Sequence, residues 1–107
     1  MRSLQPASTL LDAGSSAIDK GTTLLKAMAN ENRLRILCLL DDAELSVTEL
    51  NRKLSLSQSA LSQHLAILRR ENLVVTRRAS QTIYYSLAGD EARTIIDALV
   101  ALYGKPR

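Results

Sequence analysis

A chain of 107 residues with 46% apolar residues, three Tyr and no Trp or Phe has room for one domain. Its core must be built from Leu, Ile, Val and Ala, the composition of packed helices. Its 14 Lys and Arg against 11 Asp and Glu leave a net charge of +3, which suits an anionic partner without demanding one. No apolar run approaches the roughly 18–20 residues of a membrane span, and no signal-peptide pattern opens the chain. One cysteine, Cys38, excludes an intrachain disulfide framework, so a cofactor-free cytoplasmic protein is expected.

Residues 1–14 mix Ser, Thr, Gln, Pro and Gly with a few Leu and predict a flexible arm or a frayed helix start ahead of a single domain over 15–107. From Ser16 the apolar spacing turns helical, with Ala17, Gly21, Leu24, Leu25 and Met28 on one stripe. Asn30 is placed to cap a second helix reaching about Leu40. That helix is apolar on almost every side, which puts it at the centre of the fold, and Asp41-Asp42 interrupts it. Ser46-Val47-Thr48-Glu49 is a capping box: the Ser hydroxyl accepts from the Glu49 N–H, and the Glu49 carboxylate reaches back. It opens a short third helix that buries Val47, Leu50 and Leu54. After Ser55-Leu56, Ser57 caps a fourth helix running to about Asn72. Two helices joined by so brief a turn cross steeply, as in a helix-turn-helix.

The period then changes from 3.6 to 2. Val74–Arg78 and Thr82–Leu87 are rich in β-branched and aromatic residues, with Ala79-Ser80-Gln81 between them, and predict a hairpin tipped with arginines. Gly89-Asp90-Glu91 opens a last helix with Ala92, Ile95, Ile96, Leu99, Leu102 and Tyr103 on one face. The expected fold is mainly α with a small β-hairpin wing: a winged helix-turn-helix in the order α-α-α-α-β-β-α.

On a helical wheel the fourth helix turns Leu61, Leu65 and Leu68 inward, with Ala60, His64 and Ile67 on the margin. Gln58 stands at its start, and Ser59, Ser62, Gln63, Ala66 and Arg70 face out. A solvated helix usually carries Glu and Lys at such positions. Ser and Gln offer both donors and acceptors, as base edges in the major groove require, and Ala leaves room for a thymine methyl. The bland alternative is a merely exposed polar face. Arg69 and Arg70 are placed for the DNA backbone. Arg77 and Arg78, adjacent and without a neighbouring acid in sequence, are placed for phosphates or a narrow minor groove.

The last helix carries an apolar stripe with no later element to cover it, and the first helix a similar one. The simplest resolution is a two-fold homodimer through Leu24, Ile95, Leu99, Leu102 and Tyr103. It would set two recognition helices roughly 34 Å apart on double-stranded DNA carrying an inverted repeat.

Leu24–Leu37 (LLKAMANENRLRIL), Glu44–Leu50 (ELSVTEL), Leu54–Leu68 (LSLSQSALSQHLAIL) and the Tyr84-Tyr85 wing together resemble the ArsR family of bacterial winged-helix regulators over about residues 18–103. Within it the chain is most similar to the haemolysin-regulator and sulfide- or biofilm-responsive branch. The resemblance implies a homodimer that binds DNA through the fourth helix and wing, acting as a repressor or an anti-silencer under a chemical signal. Metal-sensing members carry a thiolate pair where this chain has Ser46 and Thr48, and their alternative site needs His on the last helix, which has none. No metal is therefore expected. Many relatives place Gly where this chain has Ser55, at a turn whose left-handed backbone would cost about 1 kcal/mol.

In the resembled branch a cysteine at the Cys38 position pairs with another near the end of the last helix, where this chain has Gly104. Two readings of Cys38 stand open: a small buried core residue, or a one-thiol redox sensor. Its late position in its helix opposes a thiolate, which Arg35 one turn earlier would offset. His64 reads as a half-buried structural group that touches a phosphate. A Cys38–His64 pair has no third orienting group, so no enzyme is expected. The rival functions are a DNA binder that senses nothing, and a winged-helix module for protein contact.

Overall fold

The computed structural model describes residues 5–104; positions 1–4 of the expected arm and 105–107 of the expected domain lie outside the described residues. Three helices, α1 (Ser8–Asp12), α2 (Ser15–Met28) and α3 (Glu31–Asp42), lead to a two-residue strand β1 (Leu45–Ser46). Then come α4 (Val47–Leu54), α5 (Gln58–Arg70), β2 (Val74–Ala79), β3 (Thr82–Leu87) and α6 (Glu91–Tyr103). The architecture is mainly helical with a small antiparallel sheet, as expected from the pattern. The stretch read as an arm or frayed helix start holds the short helix α1, with no buried residue, and β1 is an additional element.

The core is aliphatic. Ile36 and Leu37 of α3, Leu50 of α4, and Leu61 and Leu68 of α5 are fully buried, and Ala27, Met28, Leu73, Val74, Ala92 and Ile96 close around them. Each such Leu or Ile contributes about 1.5–3 kcal/mol relative to exposure. The helix starts follow their caps. Asn30 Oδ1 accepts from the N–H groups of Asn32 and Arg33 at 3.0 and 3.1 Å. The Ser46–Glu49 box forms with Ser46 Oγ accepting from Glu49 N–H at 3.2 Å and Glu49 accepting from Ser46 N–H at 2.9 Å. Hydrogen bonding to the carboxylate, from the Ser46 N–H first and the Ser46 hydroxyl second, holds the Glu49 carboxyl below its ordinary value.

Element ends differ from expectation where a contact unseen in sequence decides them. Helix α3 runs through Asp41-Asp42 rather than stopping at Leu40. Acids at a helix C-terminus oppose the dipole, but Arg93 of α6 stands 3.5 Å from Asp41 Oδ1 and offsets that charge. Helix α5 stops at Arg70, two residues early, in a Schellman motif. Asn72 takes the left-handed conformation at φ 61°, Leu73 N–H donates to the Leu68 carbonyl at 2.9 Å, and Asn72 N–H to that of Arg69 at 3.0 Å. The hairpin turn is two residues long, since Ala79 pairs with Thr82. Ser80 alone has positive φ (58°), the pattern of a type II′ turn.

Strand β1 pairs antiparallel with β3, giving the sheet order β1-β3-β2. Because β1 runs directly into the capping box of α4, the wing is tied to the first helix of the helix-turn-helix. The turn between α4 and α5 is closed by Asn51, whose side-chain carbonyl accepts from Leu56 N–H at 2.8 Å. Its main-chain carbonyl takes Ser55 N–H at 2.9 Å. Ser55 adopts φ 56°, ψ 44°, the left-handed conformation that favours glycine, as expected for this turn.

Candidate nucleic-acid interface

Helix α5 begins at Ser57, whose hydroxyl accepts from Ala60 N–H at 3.1 Å. With Leu61, Leu65 and Leu68 turned inward, the opposite face leaves Gln58, Ser59, Ser62, Gln63, Ala66, Arg69 and Arg70 exposed. The described residues thus display a continuous polar face with no acid on it. A cleft of about 400 Å³ separates this face from the start of α4 and the sheet, lined by Ser62, Ala66, Arg69 and Arg70 on one side and by Val47 of α4 and Tyr85 of β3 on the other. A second, of about 340 Å³, joins α4 to the start of α5 through Thr48, Asn51, Arg52 and Gln58. Thr48, Arg52 and Tyr85 are not assigned to this face by the sequence reading. The available signal was the i, i+4 spacing of Thr48 and Arg52 on the polar side of α4.

The cations are less uniform than their sequence suggested. Arg70 pairs with Glu71 at 3.0 Å. Arg77 has an acid partner after all, because Glu44, 33 residues earlier, meets its guanidinium at 2.7–3.1 Å through both carboxylate oxygens. The Arg77 guanidinium also lies 5.0 Å from the centre of the Tyr84 ring. This corrects the view of Arg77 as a wing cation without a neighbouring acid: sheet formation brings the acid in. The pair holds Glu44 below its ordinary carboxyl value and Arg77 above its ordinary guanidinium value. Arg78, on the opposite face of β2, is exposed, and its side chain makes no ion pair or hydrogen bond among the described residues.

His64 is half-buried on the margin of α5, as the wheel placed it. Its Nδ1 faces the guanidinium of Arg33 at 3.4 Å, and Arg33 also donates to the carbonyls of Ala27 (2.7 Å) and Lys26 (3.4 Å). Arg33 therefore joins the end of α2 to the recognition helix. Desolvation first, and the Arg33 charge second, push the imidazole below its ordinary value.

Cys38 is exposed, which overturns its reading as a core residue. On α3 the buried positions are Ile36, Leu37 and Leu40, and Cys38 falls between them on the outer side, against a cleft lined by Leu34, Leu39, Lys53 and Leu54. Arg35 does not offset the helix dipole there, because it bonds Glu31 at 2.9 Å. Partial desolvation, then the Asp41 charge, push the Cys38 thiol up.

Of the residues expected to cover a partner, Leu24, Ile95 and Leu99 are half-buried within the chain, while Leu102 and Tyr103 are 62% and 80% exposed. Leu25 of α2 and Val100 of α6, at 54% and 55%, add to the exposed apolar surface.

A helix-turn-helix with an acid-free outer face, backed by a β-hairpin wing, defines the class: a winged-helix DNA-binding transcriptional regulator. Residues 30–76 match the model for the bacterial regulatory protein, arsR family. The chain is 60% identical over 84 residues to the transcriptional activator HlyU of Vibrio cholerae, covering 78% of each protein. It is 45% identical over 83 residues to the biofilm growth-associated repressor of Agrobacterium fabrum, covering 78% of this chain and 71% of that one. Among solved structures, HlyU from Vibrio cholerae superposes with a TM-score of 0.81 at 54% identity, over 86% of this chain and all of that one. The protein belongs to the arsR family of bacterial regulatory proteins, a non-enzymatic DNA-binding family. No helix among the described residues is long and apolar enough to cross a membrane.

Proposed function

We propose that this regulator binds an inverted-repeat DNA site as a two-fold homodimer. In this reading Gln58, Ser59, Ser62 and Gln63 of α5 face base edges, and Arg69, Arg70 and the wing-tip Arg78 face phosphates. The observation that carries it is the outer face of α5, polar, exposed and free of acids beside a cleft that ends in arginines. A module built for protein contact would present acids or large apolar groups there. The sign of control follows from operator position: a site over a promoter excludes polymerase, and one within a silenced region displaces the silencer. The relatives include an activator and a repressor by name.

The test is selection of bound sequences from a random duplex pool, followed by salt titration on the selected site. Gln63→Ala is expected to change base preference at one position per half-site, with a loss of about 1–3 kcal/mol. Arg78→Ala is expected to weaken all sequences alike and flatten the salt dependence. Binding unaffected by either change sinks this assignment.

For Cys38 the observations favour a DNA binder without a thiol switch. It is the one cysteine in the sequence, and its surroundings disfavour the thiolate, the form that oxidants and electrophiles attack.

A further inference from the structure

The Arg77 pair carries a consequence for DNA binding. In the sheet order β1-β3-β2, Ser46 pairs with Tyr84 and Tyr84 with Arg77, so the three lie on one rung. The Arg77 side chain crosses the width of β3 over the Tyr84 ring and closes on Glu44, the residue before β1. The contact is bidentate, the Arg–carboxylate geometry that adds direction as well as attraction. Glu44 lies two residues before the Ser46 cap of α4. One side chain thereby fastens the outer strand of the wing to the start of the helix-turn-helix. A guanidinium whose Nε and Nη2 are held by a carboxylate meets a phosphate with its charge already offset and its direction fixed, whereas Arg78, its neighbour on the other face of β2, has an uncommitted side chain among the described residues.

We infer that Glu44, Arg77 and Tyr84 form a latch that sets the angle of the wing, with Glu44 and Arg77 as positioning residues and Arg78 as the phosphate contact. The part concerning DNA rests on the function proposed above; the latch itself does not. An acid beside a DNA-facing wing is otherwise an electrostatic liability, since it repels the phosphates that the wing approaches. Its place is explained if wing geometry outweighs that repulsion.

The experiment has two arms on the full chain. In the first, amide hydrogen exchange of the free protein is compared for wild type, Glu44→Gln, Arg77→Gln and the double variant. The latch predicts faster exchange across β2 and β3 in each single variant, with the double variant no faster than the singles, as coupled partners behave. In the second, binding to a fluorescein-labelled duplex of about 30 base pairs, long enough for two half-sites, is titrated with salt. Glu44→Gln and Arg77→Gln are expected to weaken binding about three- to tenfold with the wild-type salt slope. Arg78→Gln is expected to lower the slope by about 0.9 for each phosphate that Arg78 no longer neutralises. Unchanged exchange in both single variants overturns the latch. Tighter binding by Glu44→Gln, together with a slope reduced by Arg77→Gln, also overturns it, since Arg77 would then be a phosphate ligand that Glu44 restrains. A wild-type chain that binds no duplex refutes the function proposed above, and the exchange arm still decides the latch.

Discussion

Cys38 stands in the last turns of α3 with Asp41 one turn beyond it and no compensation from Arg35, which is taken by Glu31. Desolvation and the Asp41 charge both penalise the thiolate, so its protonation midpoint lies above that of an ordinary thiol. Alkylation by iodoacetamide should therefore be slower than that of free cysteine near neutral pH and accelerate only as pH rises. Asp41→Asn should shift the midpoint down, by removing one of the two causes. DNA affinity after brief peroxide treatment should be the same for wild type and Cys38→Ser. A midpoint at or below that of free cysteine, or a peroxide response lost in Cys38→Ser, would restore the sensor reading. Arg77 teaches the same lesson with opposite sign. Two adjacent arginines look equivalent in sequence, but the pleat sends them to opposite faces of β2, and only one face meets an acid.

Among the elements, the turn between α4 and α5 carries a measurable conformational cost. Ser55 sits at φ 56° and ψ 44°, where a Cβ crowds the following carbonyl. Ser55→Gly removes that strain while adding entropy to the unfolded chain. The expected net gain is about 0.5–1 kcal/mol, read as a higher urea midpoint at unchanged slope. A lower midpoint would show that the Ser hydroxyl holds the turn. The capping signals worked well as sequence signals because they are local: Asn30, Ser46 and Ser57 each accept from an N–H two or three residues on. Strand β1 gave no such signal. Two residues have no period, and Leu45-Ser46 becomes a strand only because β3 arrives beside it.

At the scale of the whole molecule, the single chain leaves an apolar surface at the end of α6 and on α2. Val100, Leu102 and Tyr103 are more than half exposed, as is Leu25. In the homodimer proposed above, this surface is covered by its two-fold copy. Val100→Asp with Leu102→Asp should give a monomer in sedimentation equilibrium while the far-UV circular dichroism stays that of the wild type, because neither side chain is buried within the chain. DNA affinity should drop by more than about tenfold, with a shallower salt slope, as one recognition unit replaces two. A wild-type chain that sediments as a monomer, or a double variant that stays dimeric, would remove this interface.

Taken alone, the sequence determined the order of helices and hairpin, the caps, the inward Leu61–Leu65–Leu68 stripe, and the polar outer face of α5. All of these depend on residues within a turn or two of one another. Tertiary structure decided what depends on residues far apart: the exposure of Cys38, the passage of α3 through its acids beside Arg93, the contact of His64 with Arg33, and the capture of Arg77 by Glu44. Periodicity reports which side of an element a residue takes. It is silent on which distant charge the packed chain brings to that side, and at the wing those long-range pairings give one of two adjacent arginines an acid partner and leave the side chain of the other without one among the described residues.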